Sequence, residues 1–204
     1  MRELLIATTN RGKIKEIEKL LKEELPGLKL YSLDDLNITG ECPEDETTFL
    51  GNAAAKSSFY SKLAKGIYTA ADDSGLVVEA LHGEPGVHSA RYAGDECDDN
   101  KNIKKLLREL SSEKNRAAKF VTEVVLSKDG KVIESFNGEV KGEILREKKG
   151  SGGFGYDPVF YYPPLQKTFA QLTTNEKNRI SHRANALTKL KDYFILNKSF
   201  VQNS

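Results

Sequence analysis

The sequence predicts an α/β fold from three observations. The apolar run Glu3 to Ala7 passes through a polar loop into a helical pattern, and a second strand-like run follows at Lys29 to Ser32. Strand, loop, helix, strand is the opening of an α/β architecture. Apolar runs and helical patterns then continue to alternate along the chain. No internal repeat, low-complexity tract or linker interrupts them, so the 204 residues read as one domain.

Each element has a local reason. Ile14, Ile17, Leu20 and Leu21 share one face of the first helix, opposite Lys15, Glu16, Glu18 and Lys19, and Pro26-Gly27 stops it. Residues 39 to 48 are polar and acidic, with Glu41, Glu44, Asp45 and Glu46 inside six positions. An Ala-rich helix is expected from Phe49 to Ala64, started by an Asp or Thr cap. Tyr68 to Ala71 reads as a strand ending in Asp72-Asp73-Ser74-Gly75, with apolar Leu76-Val77-Val78 beyond. Ile103, Leu106, Leu107 and Leu110 mark a helix over Asn100 to Leu110. Phe120 to Leu126 and Val132 to Val140 are strand-like, and the intervening Asp129-Gly130 signals a hairpin. A last helix is expected from His182 to Phe194, with the final ten residues frayed.

Composition excludes several classes. Lys plus Arg total 31 and Asp plus Glu 30, for a net charge of +1. A protein that coats nucleic acid needs a positive excess, so none is expected as a partner. No apolar run reaches the ~18 residues of a membrane span, and the chain turns polar at Thr8-Thr9-Asn10 too early for a signal peptide. A cytoplasmic location is expected. Cys42 and Cys97 lie far apart with no Cys-x-x-Cys, which disfavours a disulfide framework or structural zinc.

Five segments carry chemistry, and each has an ordinary reading beside the functional one. Thr8, Thr9, Asn10, Arg11, Gly12 and Lys13 join a strand to a helix. That junction offers unpaired N–H groups and a positive dipole end to an anion. Lys13 in the first turn conflicts with the dipole unless an anion compensates, which points to phosphate; a plain surface turn is the alternative. Asp72-Asp73 sits where strand alternation sends only one carboxylate to a given side, able to ligate Mg²⁺ or orient a water. An Asp-rich turn has the same composition. The Glu41 to Glu46 stretch offers oxygen ligands for a hard cation, or a solvated loop that caps a helix. Gly150 to Gly155 matches G-x-G-x-x-G but neither follows a strand nor opens a helix, so it is not a dinucleotide fingerprint. It reads as backbone suited to a flat ligand, with Phe154 stacking on a base and Asp157 reading an edge, or as a flexible connection. Lys177, His182 and Arg183 near a helix start suit polyphosphate or a purine edge, or form a basic helix face. Together the segments suit Mg²⁺-assisted chemistry on a nucleoside polyphosphate.

The order of these motifs carries a resemblance. Ala7-Thr8-Thr9-Asn10-x-x-Lys13 precedes Ala71-Asp72-Asp73-Ser74-Gly75-Leu76 and Pro85-Gly86-Val87-His88-Ser89-Ala90-Arg91-Tyr92. Gly152-Gly153-Phe154-Gly155-Tyr156-Asp157-Pro158 and Lys177-x-x-x-Ser181-His182-Arg183 follow. Over residues 3 to 194 the chain resembles the inosine/xanthosine triphosphate pyrophosphatase family. The resemblance implies an elongated mixed β-sheet with flanking helices, forming two lobes around a substrate cleft, and a homodimer. It implies Mg²⁺-dependent hydrolysis of ITP, dITP and XTP to the monophosphate and pyrophosphate. By position, Thr8 to Lys13 would bind the triphosphate, with Lys13 and Lys56 near the phosphates. Asp73 would be general base and a Mg²⁺ carboxylate, and Ser74 would line the site. Phe154, Gly155, Tyr156, Asp157, Lys177, His182 and Arg183 would hold the nucleotide, mainly at the base. Two departures stand out: Gly51-Asn52-Ala53 replaces the family's Glu-Asn-Ala, and Pro43-Glu44-Asp45-Glu46-Thr47-Thr48-Phe49 replaces its Glu-Glu-Thr-Gly-x-Thr-Phe. Glu44 is the metal candidate beside Asp73, with Glu41 as the alternative. Rival readings are a pyrophosphatase for another modified nucleotide and a nucleotide sensor without turnover.

Overall fold

The structure is a computed structural model that describes residues 2–25 and 27–197. The expected helix stop at Pro26 lies outside the described residues, as do residues 198 to 204 of the expected frayed tail. Seven strands are β1 (Arg2–Ile6), β2 (Leu28–Ser32), β3 (Tyr68–Val78), β4 (Ala117–Lys128), β5 (Lys131–Ile144), β6 (Phe160–Tyr162) and β7 (Lys167–Thr168). Five α-helices are α1 (Arg11–Glu24), α2 (Phe49–Leu63), α3 (Asp99–Glu109), α4 (Thr174–Ile180) and α5 (His182–Leu196). Hydrogen bonding runs in the order β2-β1-β3-β4-β5-β6-β7. β1 pairs in parallel with β2 and β3, whereas β6 pairs antiparallel with β5 and β7, so the sheet is mixed.

The chain divides into two compact units. Unit 1 comprises Met1–Asp73, Thr122–Gly138 and Arg183–Ser204. Its core follows from strand alternation. Leu4 and Ile6 pack with Ile17 and Leu21 of α1 and with Leu187, Leu190 and Phe194 of α5. Leu5 and Ala7 point the other way, into a cluster with Tyr60 and Ala64. Strands covered on both faces carry the near-continuous apolar runs seen here. Unit 2 comprises Ser74–Val121 and Glu139–His182. Its core joins Leu76 and Val78 to Ile103, Leu106 and Leu110 of α3, and to Phe120, Phe160 and Phe169.

The expected elements stand with four corrections. β3 does not end at Asp72 but runs on to Val78; the polar quartet lies within the strand because cations face the Asp72 carboxylate and an amide donates to that of Asp73. The hairpin strands extend beyond their apolar runs, around a turn in which Asp129 and Gly130 both have positive φ (50° and 81°). Lys177 is not at a long helix's start: it belongs to α4, a separate helix with a Thr173/Glu176 capping box. α5 continues past Phe194 to Leu196.

Candidate functional site

The β1–α1 junction is built by its cap. Asn10 has extended backbone geometry, and its Oδ1 accepts the N–H groups of Gly12 at 2.9 Å and Lys13 at 3.1 Å. Asn10 thereby occupies two donors that the sequence left open to an anion. Its own N–H donates to the Thr8 hydroxyl. Thr9, Asn10 and Arg11 are exposed. Lys13 resolves its conflict with the helix dipole internally, its Nζ lying 3.0 Å from Asp72 Oδ2. Burial pulls the Lys13 ammonium below its ordinary value, opposed by Asp72 and reinforced by Arg183 and Lys56.

β3 then explains why two adjacent aspartates are needed. Ala70 belongs to the cluster packed by α1 and α5, and Ala71 to the cluster packed by α2. Alternation carries Asp72 to the first side and Asp73 to the second. Asp72 meets Lys13 of α1, with Nε of Arg183 of α5 at 3.5 Å. Burial alone would raise its carboxyl, but Lys13, Arg183 and Lys56 overcome this and hold it well below the ordinary range. Arg183 also donates through Nη1 to Glu16. Asp73 meets α2 instead: Asn52 Nδ2 donates to its Oδ2 at 3.0 Å, and the Thr122 hydroxyl donates to its backbone carbonyl. Burial pushes the Asp73 carboxyl up, against the pull of Lys56, Lys13 and the Asn52 hydrogen bond, and with a further push from Glu44.

Lys56 of α2 pairs with Glu44 at 2.9 Å. Burial would lower its ammonium, yet Asp72, Asp73 and Glu44 together hold it up. Glu44 therefore stands in the same charge cluster as Asp73, whereas the charge of Glu41 reaches Tyr60. The departure at Gly51 has a steric reason. A Cβ there would lie 2.9 Å from Glu46 Cβ and 3.1 Å from the Thr48 hydroxyl. The acidic loop is seated directly on the start of α2.

The second unit gathers the remaining candidates. Asp157 and Lys177 form a buried pair at 2.6 Å. Asp157 Oδ2 also accepts the Phe154 N–H at 3.0 Å, and Lys177 Nζ lies 4.5 Å from the Phe154 ring centroid. Gly153 has φ +74°, and a Cβ there would stand 2.0 Å from Asp157 Oδ2, so glycine is required. Gly155 donates its N–H to Asp99. Tyr156 is a core residue whose hydroxyl donates to the Ser89 carbonyl at 2.8 Å, while Ser74 is half-buried in β3. His182 is buried and stacks on Phe120 with ring centroids 4.9 Å apart.

Lys13, Lys56, Glu44, Asp73 and Arg183 thus fall in one unit, and Ser74, Phe154 to Asp157, Lys177 and His182 in the other. Sequence reasoning missed Asn52, Glu16 and the separate role of Asp72. Asn52 left a signal: an amide among alanines is a poor helix former and needs a partner there. Among the described residues no three His, Cys, Asp or Glu side chains are gathered as a preformed metal cage. Mg²⁺ needs only one or two carboxylates plus substrate oxygens, and the mutual repulsion of Glu44 and Asp73 suits a divalent cation.

A mixed α/β sheet with flanking helices, carrying one polar cluster in each unit, defines the class of protein. The chain belongs to the Ham1 family, whose model matches residues 4–193. It is 42% identical to a dITP/XTP pyrophosphatase of Clostridium tetani, over the whole of both chains. It is 43% identical to a dITP/XTP pyrophosphatase of Desulfotalea psychrophila, over 92% of this chain and 83% of the relative. The Ham1 protein of Staphylococcus aureus superposes with a TM-score of 0.85 at 42% identity, covering 95% of this chain and 98% of that one.

Proposed function

We propose that this chain is a nucleoside-triphosphate pyrophosphatase that hydrolyses ITP, dITP and XTP to the monophosphate and pyrophosphate. The observation that carries the reading is Asp73, a buried carboxylate held by Asn52 and influenced by Lys56 and Lys13. Its raised proton affinity suits a general base. Asp73 takes a proton from a water whose oxygen bonds to the α-phosphorus. The bond from that phosphorus to the bridging oxygen breaks, and pyrophosphate leaves with the electron pair. Lys13 and Lys56 offset charge on the phosphate oxygens, and Lys177 is a further candidate for that role. Glu44 and Asp73 would hold Mg²⁺, which supplies charge neutralisation of the triphosphate when bound.

Selectivity lies at the purine 6-position. Hypoxanthine and xanthine present O6, whereas adenine presents an amino group. Donors aimed at O6 are left unpaired with adenine, a mismatch that discriminates by orders of magnitude. His182 and Arg183 are the candidate donors, with Phe154 as the stacking surface. The same reading expects a cytoplasmic location and a homodimer, and light scattering of the purified chain tests the dimer. The functional test is turnover of ITP, XTP, ATP, GTP and the pyrimidine triphosphates with Mg²⁺, products resolved as NMP plus pyrophosphate or NDP plus phosphate. Pyrophosphate from ITP and XTP is expected, and Asp73→Asn should bind nucleotide but lose most turnover. Preference for a pyrimidine, or binding without cleavage, would select one of the two rivals.

A further inference from the structure

We propose that Asp72 is a positioning residue: one buried counter-ion shared by Lys13 and Arg183, through which the phosphate end and the base-reading end of the site are coupled. The inference rests on the proposed pyrophosphatase reading. It begins with two helix N-termini. Lys13 is the third residue of α1 and Arg183 the second of α5, places where the helix dipole opposes a cation. Both side chains are held close to the protein, at 14% and 1% exposure, so each requires an anion. A single atom faces both: Asp72 Oδ2, 3.0 Å from Lys13 Nζ and 3.5 Å from Arg183 Nε.

Three features make this a shared tie rather than a fixed strut. The Asp72 carboxylate is buried and faces two cations, so it is held chiefly by charge. Arg183 has a second carboxylate, Glu16, which lies one turn along α1 from Lys13 and takes Nη1. The four groups Lys13, Asp72, Arg183 and Glu16 alternate in sign and sum to zero. Lys13 is the more exposed of the two cations. An anion that draws Lys13 away frees Asp72 for Arg183, and a ligand that draws Arg183 frees it for Lys13. Asp72 is spared for this because its neighbour Asp73, on the opposite side of the strand, is the proposed base.

The test is a double-mutant cycle on the full chain: Lys13→Gln, Arg183→Gln and the pair, with Asp72 intact and as Asp72→Asn. With Asp72 intact, the pair's loss in kcat/KM for ITP should be at least tenfold smaller than the product of the single losses. In Asp72→Asn the two losses should multiply to within twofold. Asp72→Asn alone should lower the ITP-to-ATP ratio of kcat/KM about tenfold, which a general loss of stability leaves unmoved. Multiplying losses with Asp72 intact overturn the proposal. Should Asp72→Asn fail to fold, the cycle with Asp72 intact decides alone. A wild-type chain that releases no pyrophosphate from ITP overturns the functional reading instead. The same cycle read by urea unfolding then decides the shared tie, with additive midpoint shifts counting against it.

Discussion

Asn52 holds Asp73 from one side and the acidic loop from the other. Its Nδ2 donates to Asp73 Oδ2 at 3.0 Å, and its Oδ1 accepts the Glu46 N–H at 3.0 Å. The loop fixes the amide's orientation, and the amide fixes the carboxylate. A hydrogen bond to a charged group contributes about 1.5–3 kcal/mol, or about one to two decades in rate when it orients the reacting group. Asn52→Ala should therefore lower kcat for ITP about 10- to 100-fold while KM stays within about threefold. Steady-state kinetics with a thermal melt as control checks this, and an unchanged kcat removes Asn52 from the positioning role.

Gly51 tests the metal assignment. Gly51→Ala adds helix propensity of about 1 kcal/mol, but its Cβ meets the Glu46 Cβ at 2.9 Å and must shift the loop that carries Glu44. The expected result is a fold that is not weakened and a several-fold rise in the Mg²⁺ concentration for half-maximal turnover. A Mg²⁺ dependence that does not move argues against Glu44 as a metal carboxylate.

The Asp157–Lys177 pair should respond to its glycine. Gly153→Ala places a methyl 2.0 Å from Asp157 Oδ2 at a φ that disfavours side chains, so the carboxylate must leave Lys177. KM for ITP should rise about tenfold or more, with a smaller change in kcat. Asp157→Asn removes the carboxylate from a buried ion pair and should cost on the order of 3–5 kcal/mol in urea unfolding.

Alkaline stability should report on Tyr92. Burial pushes its hydroxyl up to about 12, aided by Glu84, whose Oε2 accepts the hydroxyl at 3.2 Å. The folded state then keeps a proton that the unfolded chain loses near pH 10. The resulting linkage preserves stability below pH 10 and removes it as pH rises towards 12. Tm should fall over that window in the wild type and fall less in Tyr92→Phe, whose Tm at neutral pH is lowered by the lost hydrogen bond. Parallel Tm curves would show that Tyr92 does not carry the effect.

Much of this molecule was written locally. The i, i+3, i+4 spacing of Ile103, Leu106 and Leu107, the Asp129-Gly130 turn and the apolar run before Thr8 each specify an element through nearest neighbours, and each element is present. The order of the motifs sufficed to expect the family. Element ends were less legible, because β3 continues through Asp72 and Asp73 only where Lys13, Arg183, Asn52 and Lys56 are present to receive them.

What the sequence alone determined was the inventory: an α/β alternation, paired carboxylates, cations at helix starts and a glycine-rich loop. Tertiary structure decided the partnerships. Period-two alternation along β3 separates two identical neighbours, sending Asp72 to α1 and α5 and Asp73 to α2. A net charge of +1 conceals this arrangement, since charge balance is a sum over the chain and pairing depends on which side chains the sheet brings within a few ångströms. Lys13 read as a cation awaiting phosphate. In the folded chain it already has an anion, placed beside it by a strand some sixty residues away.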